Sequence, residues 1–232
     1  QKINATEGER FAVLFTYAEG KTIRIPSEEL CFNLGVSMAK MHQKTINKTI
    51  DRKTHDAENL VQWAYKLAEN HFDDQSESMQ YYKRAVAKIT SEFKHANTNK
   101  LRKGIVHLDL WHDNLKVKNN TEITYFDFDN CGNGWLFLDI AYSLMLFLRN
   151  DPNKENFKLK STSFFHGYES VTPISDEEKR LIPYGGLAIW LYYNGVHVAR
   201  FNDFSNQFLS EDFLTFWIQT VKRWMETNHI KI

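Results

Sequence analysis

The segment His107-Leu-Asp-Leu-Trp-His-Asp-Asn114 gathers acids, imidazoles and a carboxamide, and a second acidic segment, Phe126-Asp-Phe-Asp129, follows it. A loop aspartate can accept or orient a hydroxyl proton. Carboxylate and carboxamide oxygens are also what Mg²⁺ binds while keeping room for water and phosphate oxygens. Zinc chemistry is the enzyme rival, because His107, Asp109, His112 and Asp113 superficially resemble a ligand cluster. That reading needs a third histidine at ligand spacing, and none stands nearby.

Whether those oxygens meet depends on the flanking strands. Leu115-Lys-Val-Lys118 and Ile123-Thr-Tyr-Phe-Asp-Phe128 read as strands, and the polar run Asn119 to Glu122 between them predicts a β-hairpin. A turn over residues 119–122 pairs Lys118 with Ile123 and Asn114 with Asp127. Directly opposed residues sit roughly 4.5–5.5 Å apart, so the carboxamide and carboxylate would converge at the open end. Asp129 shares the face of Asp127 if the strand continues, and Asp109 can reach the same mouth from its loop.

The remaining elements are mostly helical. Ser27 with Glu28 and Glu29 opens a helix whose apolar stripe is Leu30, Leu34, Met38 and Met41. Further stripes are Leu60, Trp63, Ala64 and Leu67, then Tyr82, Val86, Ile89 and Phe93. Leu136 to Leu148 is apolar all round, which predicts a buried helix. Ser175 and Glu178 form a capping box, Gly185 to Phe201 is an aromatic-rich helix candidate, and Ser210 caps Leu214, Trp217, Val221 and Trp224. Upstream, Phe11 to Tyr17 reads as a buried strand ending in a turn at Ala18-Glu-Gly20. The expected architecture is helical around one small hairpin.

Composition narrows the partners. Lys plus Arg is 29 and Asp plus Glu is 29, a zero balance that favours neither nucleic acid nor an anionic membrane. The 2 cysteines, Cys31 and Cys131, lie far apart, which suits a reducing cytoplasm better than a disulfide framework. The longest apolar run is too short and too interrupted by Asp139 to span a membrane. A soluble, cytoplasmic protein is expected. Residue 1 is Gln and the chain enters a strand almost at once, so an upstream segment is expected as well.

The pattern H-x-D-x-x-x-x-N followed by an apolar strand ending in Asp resembles the catalytic apparatus of kinases. More narrowly, it is similar to the aminoglycoside phosphotransferase and choline kinase superfamily, with Phe126-Asp-Phe-Asp129 as metal strand and Leu138-Asp-Ile-Ala141 as the helix with a buried aspartate. Phe11 to Gly20 resembles the hinge that joins the two lobes. Leu181-Ile-Pro183, Trp190-Leu-Tyr-Tyr193 and Asn202-Asp-Phe204 loosely resemble the bacterial stress-response kinase branch.

The resemblance implies an α+β, protein-kinase-like fold seen as its mostly helical C-terminal lobe. Residues 1–20 would be the hinge strand and a remnant of the N-terminal lobe. Residues 21–232 would form the C-terminal lobe, with a catalytic loop at 107–114 and a metal strand at 123–129. It implies ATP or GTP and Mg²⁺ as cofactors, and a hydroxyl-bearing small molecule or protein Ser/Thr as acceptor. Asp109 would accept or orient the hydroxyl proton, with Asn114 and His107 beside it. Asn114 and Asp127 would hold Mg²⁺, with Asp129 as an auxiliary ligand, while His107 and Asp139 would brace the loop. The Thr16 carbonyl and Ala18 amide would meet the adenine edge, with Phe15 behind it.

Two departures stand out. Leu108 replaces the family's usual glycine, which would tighten the loop or narrow the approach to Asp109. No glycine-rich phosphate loop and no strand lysine precede the hinge, so activity is expected only with the missing N-terminal lobe. The alternative is a catalytically inactive, kinase-like binding module. The aromatic set Trp135, Tyr184, Trp190, Tyr192 and Tyr193 reads as core rather than as a cation cage. Residues 150–180 mix acids and lysines and show no acidic bias of the kind an aminoglycoside cleft needs.

Overall fold

The computed structural model describes residues 1–6, 8–200 and 206–232. Asn202-Asp-Phe204 and the end of the aromatic-rich helix candidate at Phe201 lie outside the described residues. The elements run β1 (Lys2–Ala5), β2 (Gly8–Phe11), α1 (Glu28–Thr45), β3 (Thr54–His55), α2 (Trp63–Ala68), α3 (Glu77–Lys94) and β4 (Lys103–Val106). They continue as β5 (Leu115–Lys118), β6 (Glu122–Tyr125), β7 (Gly132–Trp135), α4 (Phe137–Asn150), α5 (Lys154–Glu169), α6 (Asp176–Arg200) and α7 (Glu211–Thr227). The fold is α+β and mostly helical.

Capping chemistry sets the helix starts. Ser27 accepts from the Leu30 amide at 3.2 Å, and Ser210 accepts from the Phe213 amide at 3.2 Å. Ser175 and Glu178 exchange bonds reciprocally at 3.0 and 3.1 Å. From that cap α6 runs unbroken through Pro183, joining what the sequence suggests as separate segments. α4 is the central helix, with every side chain from Phe137 to Leu148 buried. The stripe of α7, Leu214, Trp217, Val221 and Trp224, closes the core.

α5 is a helix that the sequence reading passed over. It begins at Asn153, whose side chain accepts from the Glu155 and Asn156 amides. α5 lies directly against α1, because a Cβ at Gly35 would strike the Phe164 carbonyl and one at Gly167 the Phe32 carbonyl. Glycine at both positions lets the two backbones touch.

The β-structure exceeds one hairpin. β7 pairs in parallel with β3 and antiparallel with β4, making a three-stranded sheet that leads into the segment after Val106. β5 and β6 form the expected hairpin, shifted by one residue, since Lys118 faces Glu122 rather than Ile123. The reason is the turn: Asn119 and Asn120 both take left-handed φ of 54 and 57°, a tight reversal followed by the extra residue Thr121.

The reading of Phe11 to Tyr17 as a buried strand is corrected. Only Phe11 belongs to a strand, and Phe11, Val13, Leu14, Phe15 and Tyr17 are 79, 70, 98, 78 and 86% exposed. β1 and β2 pair only as a hairpin with neither face buried, so the run has no surface to pack against. The chain then docks at Lys21, which exchanges backbone bonds with Val117 at 2.9 and 3.0 Å. Gly20 makes that approach possible, with φ +110° and the Val117 carbonyl 2.5 Å from where its Cβ would be.

Candidate functional site

The one-residue shift decides how the site is assembled. Asn114 is opposed by Phe126, whose amide donates to the Asn114 carbonyl at 3.1 Å, not by Asp127 as the predicted register has it. β6 also ends at Tyr125, so the metal strand does not extend over 126–129 and Asp129 does not share a strand face with Asp127. Instead Asp127 adopts φ +61°, and this left-handed turn brings it to the same place by another route. Asp109, Asn114 and Asp127 line one cavity of about 340 Å³ with Trp111, Tyr142 and Tyr193. Asp129 is exposed and outside that lining; its amide donates to Asp127 Oδ1 at 3.3 Å.

Among the described residues Asp109 is held by three donors. Tyr142 and Tyr193 place their hydroxyls 3.0 and 2.7 Å from Oδ1, and Asn130 Nδ2 donates to Oδ2 at 3.0 Å. A carboxylate has about four acceptor positions, so one on Oδ2 remains for a further donor. Burial above all, reinforced by the charge of Asp109, pushes both phenols well above the ordinary tyrosine range and keeps them as donors.

The loop carrying Asp109 is anchored from behind. Asp139, fully buried on the first turn of α4, accepts the His107 amide at 2.9 Å and the Leu108 amide at 2.8 Å. His42 Nε2 lies 3.2 Å from the same carboxylate, and its Nδ1 lies 2.6 Å from the Tyr168 hydroxyl. Burial alone would raise the Asp139 carboxyl, but the His42 bond and charge, aided by His107, hold it below the usual carboxylate range. Leu108 takes φ +57° with its side chain fully buried, a conformation that explains why glycine suits this position. The His107 ring braces the start of the 126–129 segment, with Nε2 3.2 Å from the Phe126 carbonyl and its face 4.6 Å from Phe128.

The oxygen donors suit a hard cation. Asn114 Nδ2 donates to the Asp109 carbonyl at 3.0 Å, which fixes the carboxamide plane and leaves its oxygen for another partner. Asp127 is exposed, and among the described residues its carboxylate takes only the long bond from the Asp129 amide. Among the described residues no three His, Cys, Asp or Glu side chains converge as a metal cluster, and His112 pairs with neighbouring Asp113 at 3.8 Å. The fit is to an oxygen-bound ion sharing its coordination with a ligand or water.

Phe15 and Thr16 are exposed and Ala18 is half-buried, in the irregular segment between β2 and the Lys21 bridge. None of the three lines the Asp109 cavity. The aromatic set divides. Trp190 and Tyr192 are buried, Trp135 stacks on Phe137, and Tyr184 sits beneath Lys88. Tyr193 instead reaches Asp109. Sequence reasoning missed the roles of Tyr142, Tyr193, Asn130 and His42. The available signal for Tyr142 was its place one turn after Asp139 on the same helix.

Residues 1–160 match the phosphotransferase enzyme family. The chain is 29% identical over 177 residues to homoserine kinase of Neisseria meningitidis serogroup B, covering 74% of this chain and 54% of that protein. It is 27% identical over 207 residues to homoserine kinase of Methylobacillus glycogenes, covering 83 and 57%. It thus spans about half the length of the curated relatives it matches. Among solved structures, amicoumacin kinase in complex with AMP-PNP, Ca²⁺ and Ami superposes with a TM-score of 0.64 at 22% identity, covering 90% of this chain and 63% of that one. Among the described residues, no helix is long and apolar enough to cross a membrane.

Proposed function

Since the chain belongs to the phosphotransferase enzyme family, we propose that it supplies the catalytic loop and acceptor site of a kinase that moves the γ-phosphoryl group of ATP or GTP to a hydroxyl of a small molecule. The observation that carries this reading is the shared cavity: a positioned aspartate, Asp109, faces the oxygen pair Asn114 and Asp127 across about 340 Å³. That volume is at the lower end of small-molecule sites and favours a small acceptor over a protein Ser/Thr. The likeness to homoserine kinases supports the same class.

In this mechanism the acceptor hydroxyl donates to the unfilled position on Asp109 Oδ2. Tyr142, Tyr193 and Asn130 keep the carboxylate from turning as the hydroxyl oxygen bonds to the γ-phosphorus and the bond to the leaving diphosphate breaks. Asp109 receives the proton. Asn114 and Asp127 would hold Mg²⁺, which when bound neutralises charge on the phosphate oxygens; Asp129 is an auxiliary ligand at most. Phe15, Thr16 and Ala18 would meet the adenine, which would give this exposed segment a partner. Intact Asp109, Asn114 and Asp127 favour catalysis over an inactive binding module.

The test is nucleotide binding and turnover by the complete protein. Calorimetry should show ATP or GTP binding that requires Mg²⁺, and a panel of small hydroxylated acceptors should reveal transfer. Absence of nucleotide binding with either Mg²⁺ or Mn²⁺ would overturn the reading.

A further inference from the structure

A second cavity of about 280 Å³ adjoins the first, and the two share Met145, Arg149, Trp190 and Trp217. Arg24 and Arg223 complete its charged lining, and among the described residues neither Asp nor Glu contributes to it. The three arginines come from the segment before α1, the end of α4 and the end of α7, so the fold and not local sequence brings them together. Among the described residues none of the three is ion-paired, whereas Arg102 and Arg180 both have carboxylate partners. The chain as a whole has balanced charge, so this cluster is a local excess.

Arg149 joins the two cavities. Its guanidinium carbon lies 5.2 Å from the centre of the Trp190 ring, within cation–π range, a contact that restrains the side chain where the two cavities meet. All three arginines are exposed to solvent, and partial desolvation of the Arg149 guanidinium, with the charge of Arg24, moves it below the ordinary arginine value. The same two arginines help to depress the His112 imidazole, behind the main effect of burial. Like charges gathered with no carboxylate partner among the described residues repel one another, and a bound anion would relieve that repulsion.

We infer that the phosphoryl acceptor carries an anionic group, a carboxylate or a phosphate, which Arg149 receives with Arg24 and Arg223 while the acceptor hydroxyl lies against Asp109. The inference rests on the kinase reading for the placement of the hydroxyl, but the anion site can be tested without catalysis. It also sets polycationic acceptors apart, since three clustered arginines would repel them. A guanidinium offers two parallel N–H donors that match either anion, so the cavity recognises the shared charge and geometry.

The experiment is calorimetry on the complete protein with L-homoserine, with L-homoserine amide, and with glycerol 3-phosphate. Each is repeated on Arg149→Ala, Arg149→Lys and Arg223→Ala. Homoserine should bind roughly 10- to 100-fold more tightly than its amide, the range expected for charge-assisted hydrogen bonds. That ratio should fall toward one in Arg149→Ala, recover in part in Arg149→Lys and fall less in Arg223→Ala. Preference for glycerol 3-phosphate over homoserine, abolished by the same variants, would assign the site to a phosphate-bearing acceptor. Equal affinity for homoserine and amide with no binding of glycerol 3-phosphate would overturn the anion site, as would a carboxylate preference untouched in Arg149→Ala. Anion binding without any phosphoryl transfer would instead sink the kinase reading alone.

Discussion

Tyr193 on α6 places its hydroxyl 2.7 Å from Asp109 Oδ1 and 2.8 Å from the Leu108 carbonyl, so one phenol proton serves both the carboxylate and its own loop. The link joins positions 84 residues apart and makes α6 a support for the proposed base. Tyr193→Phe keeps the ring and removes that proton. Loss of one charge-assisted hydrogen bond predicts a fall in kcat of roughly tenfold, with KM for nucleotide nearly unchanged. Tyr142→Phe should resemble it, and the double variant should lose more than the sum because either hydroxyl alone still orients Oδ1. Steady-state kinetics checks this, and a Tyr193→Phe effect confined to nucleotide KM would contradict it.

The two phenols also set an alkaline limit. Their folded-state ionisation lies well above the usual tyrosine value near 10. Between that value and the folded one, the folded protein retains protons that the unfolded chain has lost, so stability declines as pH rises above about 10. Activity should therefore show no phenol ionisation between pH 8 and about 10. A pH profile of kcat that falls with a group near 9 in wild type but not in Tyr193→Phe would contradict this.

On the acid side the critical group is His55. It is 1% exposed, and its Nε2 lies 3.0 Å from the carbonyl of Asn130, the residue that holds Asp109 Oδ2. Among the described residues its buried Nδ1 has no partner, and burial together with nearby Lys53 pushes the imidazole down from 6.5 to about 4. In the window between those values the unfolded chain takes up a proton that the folded protein refuses. Stability must fall as pH drops from 6.5 toward 4, by up to about 3 kcal/mol from this group. Urea denaturation at pH 7, 5.5 and 4.5 should show that slope in wild type and a shallower one in His55→Gln. Parallel slopes would assign the acid sensitivity to other groups.

Legibility from sequence follows how local each signal is. The helices of Ser27, Ser175 and Ser210 were readable because a cap and an apolar stripe lie within a few turns of each other. Hairpin register was not, because Asn119 and Asn120 accept left-handed backbone so readily that a shorter turn competes with a four-residue one. α5 lacks a clean stripe and is defined by its contact with α1 through Gly35 and Gly167, which only the fold reveals. The acids of the site stood out by spacing, and the residues that aim them did not. Tyr193 stood out only as one of an aromatic set that reads as core, and Arg149 carries no mark in the sequence that separates it from surface residues of the same type.

Leu108 allows a test of strain against packing. A non-glycine residue at φ +57° costs roughly 1–2 kcal/mol, which Leu108→Gly would relieve. The side chain is fully buried, and removing a buried leucine costs roughly 2–5 kcal/mol. Packing outweighs strain, so Leu108→Gly should destabilise the protein by about 1–3 kcal/mol even though it restores the family's usual residue. A denaturation midpoint at or above that of wild type would show that the pocket around Leu108 collapses without cost.

Asp109, Asn114 and Asp127 should separate in kinetics according to what each touches. Asp109→Asn keeps the shape and removes the proton acceptor, so kcat should fall by roughly 10²- to 10⁴-fold while Mg²⁺-nucleotide affinity changes little. Asp127→Ala removes an exposed carboxylate that, among the described residues, takes one long internal bond, so it should weaken Mg²⁺-dependent nucleotide binding without disturbing the loop. Asn114 lines the cavity and its Nδ2 holds the Asp109 carbonyl at 3.0 Å, so two roles are proposed for it. Asn114→Ala should therefore lose both affinity and turnover. Asn114→Asp should regain part of the metal affinity but not the loop bond, because a carboxylate cannot donate to that carbonyl. Nucleotide titrations with and without Mg²⁺, set beside kcat for each variant, distinguish the roles. If Asn114→Asp restored turnover in full, the bond to the Asp109 carbonyl would have no part in positioning the base.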